Sequence, residues 1–156
     1  MILTSSILSA EFELLKSELI AKYDELGMRA TGNWANSLTI ELIENSVTIK
    51  GEEYTNALEY GRKPGKQPPS EAIEQWLVAK GIAGTIEGDI TLSSLAYLIA
   101  RKIAREGYNR AQHGGTELIS TVITPQRIQQ IINKVSDNEL ANLTQNLTSF
   151  INNTFL

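Results

Sequence analysis

YTNALEYGRKPGKQPPSEAIEQW, residues 54–76, holds three of the chain's four prolines (Pro64, Pro68, Pro69), the cations Arg62, Lys63 and Lys66, and one of its two tryptophans. An apolar-patterned segment ends at Tyr60 and runs into Gly61, a proline-stiffened basic loop and then a helix start. Proline is tolerated in the first turn of a helix and serine can cap orphan amides, so Pro68-Pro69 followed by Ser70-Glu71 predicts a helix. Ile73, Trp76, Leu77 and Lys80 continue it at helical spacing, and Gly81 ends it. Residues 54–60 suit a helix as well as a strand, and read as a short helix or turn ending at Gly61.

Upstream, Leu8, Phe12, Leu15, Leu19, Tyr23 and Leu26 recur every three or four positions, which predicts an amphipathic helix over about 6–26 with Gly27 as its stop. A short turn over 33–37 carries Trp34, read as core rather than as a ligand contact. Leu38, Ile40 and Leu42, then Val47 and Ile49, alternate with mostly polar neighbours on either side of Glu44-Asn45-Ser46. That predicts an antiparallel hairpin over about 38–50.

Downstream, IAGTIEGDITL (82–92), with glycines at 81, 84 and 88, reads as a loop, with a short β segment as an option. Thr91 or Ser93 then caps a helix through Leu95, Ala96, Ile99 and Ile103 that ends at Gly107, with Arg101, Lys102 and Arg105 on its other face. Residues 108–115 read as a loop. ELISTVI, 117–123, is β-branched and apolar and reads as a third strand. Pro125 opens a helical tail, about 125–156, that Ser136-Asp137 is expected to interrupt. Beyond it, Leu140, Leu143, Leu147, Phe150 and Ile151 form an apolar stripe, read as packing within its own subunit, with a partner surface as the alternative.

The expectation is therefore an α+β fold: one domain over 1–156, an N-terminal helix, a small antiparallel sheet and several packed helices. With 42% apolar and 21% charged residues, 156 residues can bury a core. The net charge of −4 argues against a dedicated nucleic-acid binder, so any DNA contact has to be local. The absence of cysteine removes disulfides, thiolate metal sites and a cysteine nucleophile. No signal peptide and no membrane span are read. Asn142, Asn146 and Asn152 match the glycosylation sequon but are read as chance in an Asn/Thr-rich tail.

Little in the chain looks catalytic. GRKPGK is one residue too short between its glycines for a phosphate-binding P-loop, and Gln67 stands where a magnesium-binding hydroxyl belongs. His113 reads as a solvated loop residue, and Glu52, Glu53, Glu71 and Glu74 as surface or helix-start charges. No cofactor or metal is expected, and an enzyme is the weakest reading. The basic loop has a better case: prolines lower the cost of ordering Arg62, Lys63 and Lys66 against an acidic surface or a phosphate. An ordinary solvated loop fits the composition equally well.

The run ALEYGRKPGKQPP (57–69), followed by I-x-x-W (Ile73, Trp76) and KGI (80–82), resembles the neck, or tail-completion-type, structural proteins at the head–tail junction of tailed bacteriophages and prophages. AYLIARKIAREG (96–107) resembles the helix that follows in the same proteins. The resemblance spans about residues 30–125 and leaves out the C-terminal tail. It implies a non-enzymatic virion component, made in the bacterial host cytoplasm and arranged as a homo-oligomeric ring. The implied partners are other neck, portal or tail proteins, with transient contact with packaged DNA and none with membrane. Tyr60, Gly61, Arg62, Lys63, Pro64, Gly65, Lys66, Pro68 and Pro69 would then form an interface or DNA-channel loop, with Arg101, Lys102 and Arg105 as a second basic face. The alternative is a small intracellular nucleic-acid-binding or regulatory module using loop 61–66; a hydrolase with a carboxylate metal site comes third.

Overall fold

A computed structural model describes residues 3–44, 46–113 and 117–155. Asn45, Gly114 and Gly115, which the sequence reading assigns to turns, lie outside the described residues. Among the described residues the chain forms seven helices and one two-stranded antiparallel sheet, an α+β fold with a long N-terminal helix.

Helix α1, Thr4–Glu25, buries Glu11, Leu15, Leu19 and Tyr23, one residue per turn along a single face. Gly27 ends it in left-handed conformation (φ 64°). The Gly27 amide donates to the Asp24 carbonyl and the Met28 amide to the Tyr23 carbonyl, which satisfies carbonyls the helix leaves open. Helix α2, Asn33–Ser37, sets Trp34 against Tyr23 with ring centroids 4.8 Å apart. Trp34 is core, as expected, and its indole N–H donates to the Thr55 hydroxyl at 3.0 Å.

Strands β1, Thr39–Ile43, and β2, Ser46–Lys50, pair with Ile40 opposite Ile49 and Leu42 opposite Val47. A two-stranded sheet is marginal alone, and this one is backed by α1. The main core gathers Leu19, Tyr23, Trp34, Ala35, Leu38 and Leu118, with Ile49, Leu58, Ile119 and Ile123 packed on it.

After α3, Thr55–Tyr60, comes the basic loop, then α4, Ser70–Ala79, and α5, Leu92–Glu106. Helices α4 and α5 pack together, with Leu77, Ala96 and Ala100 buried. Thr91 caps α5 by accepting the Ser94 amide at 3.1 Å. Ser70 makes no such cap: Pro69 holds the cap position, and Ser70 is the first helical residue.

The expected third strand is absent from 117–123. Residues Ile119–Val122 form a short helix, α6. The cause lies in α3, where the Glu59 carboxylate accepts the amides of Leu118 (2.8 Å), Ile119 (2.5 Å) and Ser120 (2.9 Å) and the Ser120 hydroxyl. Amides gathered on one carboxylate curl into a helical turn and cannot serve a β-ladder.

The expected interruption at Ser136-Asp137 is also absent. Helix α7 runs unbroken from Pro125 to Phe155, because both residues are solvent-exposed and neither removes a backbone donor as proline would. Thr124 caps its start by accepting the Arg127 amide. Its first part is tied to α1: Arg127 donates to Glu11 (2.9 Å) and Glu18 (3.1 Å), and Lys134 pairs with Glu11. Among the described residues nothing covers the distal apolar stripe, contrary to the expectation that it packs within its own subunit. Leu140, Leu143, Leu147, Phe150 and Ile151 are all exposed, since α7 extends past the α1 face that its first part covers.

Candidate functional site

The basic loop is built as a clamp between α3 and the end of α5. Gly61 closes α3 by donating its amide to Ala57 at 2.9 Å. Arg62 then forms a two-way backbone bridge with Tyr108, at 2.6 and 2.7 Å, and the Gly65 amide donates to the Ala104 carbonyl at 2.9 Å. The last four carbonyls of a helix lack intrahelical donors. The loop supplies one of the missing donors, so it caps α5 and α5 anchors the loop.

Two glycines make this close approach feasible. Gly61 has φ 81° and Gly107 φ 72°, both in the left-handed region. A Cβ at Gly61 would stand 2.2 Å from the Tyr108 carbonyl oxygen, and one at Gly107 would stand 2.3 Å from that of Arg62. Each glycine thus faces the residue that follows the other, Gly61 against Tyr108 and Gly107 against Arg62.

Within this frame the three cations have different jobs. The Arg62 guanidinium folds back to donate to the Lys66 carbonyl at 2.6 Å and so closes the loop on itself. Lys63 and Lys66 are exposed and make no ion pair among the described residues. Pro64 lies against Gly107, and Pro68 and Pro69 lead into α4. Tyr60, 69% exposed, and Tyr108 flank the bridge and offer flat apolar surface beside the charge.

The second basic face lies on the helix that the loop caps. Arg101, Lys102 and Arg105 are exposed and, with Leu98 and Glu106, line a shallow open depression. Glu106 tempers the charge by pairing with Arg105 at 2.9 Å and Lys102 at 3.9 Å, while Arg101 has no ion-pair partner among the described residues. The bond from Gly65 to Ala104, next to Arg105, brings the two sequence-distant clusters onto adjoining segments.

Sequence reasoning passed over Glu59, the residue that organises the back of this site. It is only 7% exposed. Burial pushes its carboxyl up, but the hydrogen bonds from Ser120, Ile119 and Leu118 outweigh that and hold it below the usual carboxylate range. The available signal was a glutamate directly before the Tyr60-Gly61 helix stop. Gly107, read only as a helix end, is the second omission.

Among the described residues no group of three or more His, Asp or Glu side chains is arranged to hold a metal ion, and no helix is long and apolar enough to cross a membrane. No family model, curated protein or solved structure matches this chain.

Proposed function

We propose that this chain is a structural protein of the tailed-phage head–tail junction, of the neck or tail-completion type. It works as one of several copies in a ring linking portal to tail. The observation that carries the reading is the Arg62–Tyr108 backbone bridge, with Gly61 packed on Tyr108 and Gly107 packed on Arg62. The two separate runs that bear the resemblance, around EYGRKPGK and IARKIAREG, meet backbone to backbone there. Residues constrained at both places serve to hold one exposed loop in one shape, which is what an assembly element needs.

The mechanism is adhesion and geometry without covalent chemistry. The loop is ordered before it meets a partner, so little conformational entropy is lost on binding. Lys63 and Lys66 meet acidic groups of a neighbouring subunit, or phosphates of DNA passing through the ring. The net charge of −4 disfavours nonspecific contact with DNA elsewhere on the surface. Closed rings use head-to-tail interfaces whose rotation closes, and a stiff loop fixes that rotation.

Exposed Lys63 and Lys66 on the loop that Tyr60 and Tyr108 flank, with exposed Arg101 on the helix it caps, favour a second reading, a small intracellular nucleic-acid-binding or regulatory module. Joint substitution of Arg62, Lys63 and Lys66 by Gln separates the two. On the junction reading the variant folds, while particles fail to assemble or to attach tails. On the second reading the purified wild-type chain binds DNA with a steep salt dependence that the variant loses.

A further inference from the structure

We infer that the distal half of α7 is an assembly helix, which pairs through residues 140–151 with the same segment of a second copy of this chain. Leu140, Leu143, Leu147 and Phe150 follow a three-four-three spacing, the seam along which two helices interlock. Leu140 and Phe150 are each 63% exposed, and Leu143, Leu147 and Ile151 are also more than half exposed. The buried Ile131 and the ion pairs that hold α7 to α1 all lie between Pro125 and Lys134. Beyond them the helix carries an apolar seam that is more than half exposed.

The chemistry of that segment selects the occupant. From Leu140 to the last residue the sequence LANLTQNLTSFINNTFL has no Lys, Arg, Asp, Glu or His. A charged partner finds nothing there to pair with, whereas a second copy meets it without like-charge repulsion. Thr144 and Asn146 flank the seam; the Thr144 hydroxyl is already turned inward onto the Leu140 carbonyl, so the seam's borders are uncharged and set no like charges against each other when a copy of the segment meets it. Asn and Thr are weak helix formers and single helices are marginal in water, so the helix needs a neighbour. The area fits a reversible pairing. At about 100 Å² per large apolar side chain, full burial of five side chains from each of two copies removes about 1,000 Å² from water, the size of a weak interface that dissociates on dilution.

The inference adds to the ring reading an isologous contact, distinct from the head-to-tail contacts that close a ring, and rests on that reading only for biological setting, because the pairing belongs to the purified chain. The test is light scattering on the full-length protein over a wide concentration range, for the wild type and for Leu143→Asp/Leu147→Asp. The wild type is expected as a multiple of the 17.2 kDa chain that dissociates on dilution, and the variant as 17.2 kDa at every concentration with its Trp34 core signal kept. A wild type that stays at 17.2 kDa, or a variant that associates as the wild type does, overturns the inference.

Should the aspartates unfold the chain, Leu143→Cys and Leu147→Cys decide, since each would be the sole cysteine. Oxidation of either variant, or of their mixture, is expected to give a cross-linked dimer. No dimer in any of the three overturns the pairing, as would a distal helix folded back on its own core, seen as concentration-independent amide protection over 140–151. The two readings fail separately. A monomer in solution that is present in virions ends the pairing alone, and an associating chain absent from virions ends the junction reading alone.

Discussion

Replacing Glu59 by alanine removes the carboxylate on which α6 is built, and the cost follows from the burial of each bond. Leu118 is fully buried, so its amide has no water to turn to and bears the full penalty for a lost partner, about 1–3 kcal/mol. The Ile119 and Ser120 amides lie nearer the surface, where water replaces part of the bond, and each costs about 0.5–1.5 kcal/mol. The sum centres on about 4 kcal/mol, a large share of the 5–15 kcal/mol that holds an ordinary domain together. For a chain of this length that corresponds to a fall in melting temperature of about 12 °C. Glu59→Gln keeps one acceptor oxygen but turns an N–H₂ towards the Ser120 amide, and loses about half as much. Urea and thermal melts of Glu59→Ala, Glu59→Gln and the exposed control Glu71→Ala check the order. Amide exchange at Leu118 reports the local bond. A Glu59→Ala protein within about 1 kcal/mol of wild type, with Leu118 still protected, would refute the claim that Glu59 holds α6.

Gly61→Ala and Gly107→Ala each force a side chain into left-handed backbone against a carbonyl, and are expected to destabilise by about 3 kcal/mol or more. Gly84→Ala, with open space and ordinary φ, is expected to be neutral or slightly stabilising in the same melts. Arg127→Ala leaves the buried Glu11 with Lys134 alone and is expected to cost about 3 kcal/mol in urea denaturation, loosening α7 from α1. Hydrogen bonds and charge from Lys134 hold the Glu11 carboxyl below its ordinary value of 4.5 against the opposing effect of burial, with Arg127 adding to the pull; Glu59 is likewise depressed. Both groups contribute stability above the unfolded carboxylate range and lose it as the pH falls through their lower folded values, so melts taken down to acid pH should weaken there, and less so in Glu59→Gln. Among the loop cations, Arg62→Gln breaks the bond to the Lys66 carbonyl and is expected to destabilise more than Lys63→Gln, which should stay within about 0.5 kcal/mol of wild type.

Much of this fold was legible because its signals are local. The spacing of Leu15, Leu19 and Tyr23 marks α1, Gly27 ends it, the alternation around Ile40 and Ile49 marks the hairpin, and Thr91 caps α5. The misreadings are long-range. β-Branched residues at 119–123 favour a strand locally, but a carboxylate sixty positions away gathers their amides into a turn. Ser136-Asp137 looks like a break because both residues are weak helix formers, yet neither clashes with a helix, so α7 continues. The periodicity at 140–151 establishes an apolar face and says nothing of what covers it. The cationic loop could be read as stiff from its prolines. That Gly61 must leave room for Tyr108 and Gly107 for Arg62 depends on a contact between segments more than forty residues apart in sequence.

The central claim is that this chain is built into a virion. Quantitative mass spectrometry on gradient-purified particles from the source of this gene tests it most directly. The account predicts the protein in intact particles at a fixed ratio to the portal protein, a ratio that gives the ring's copy number. Infectious particles that lack it would contradict the junction reading and leave the basic loop to be explained as a nucleic-acid or regulatory surface.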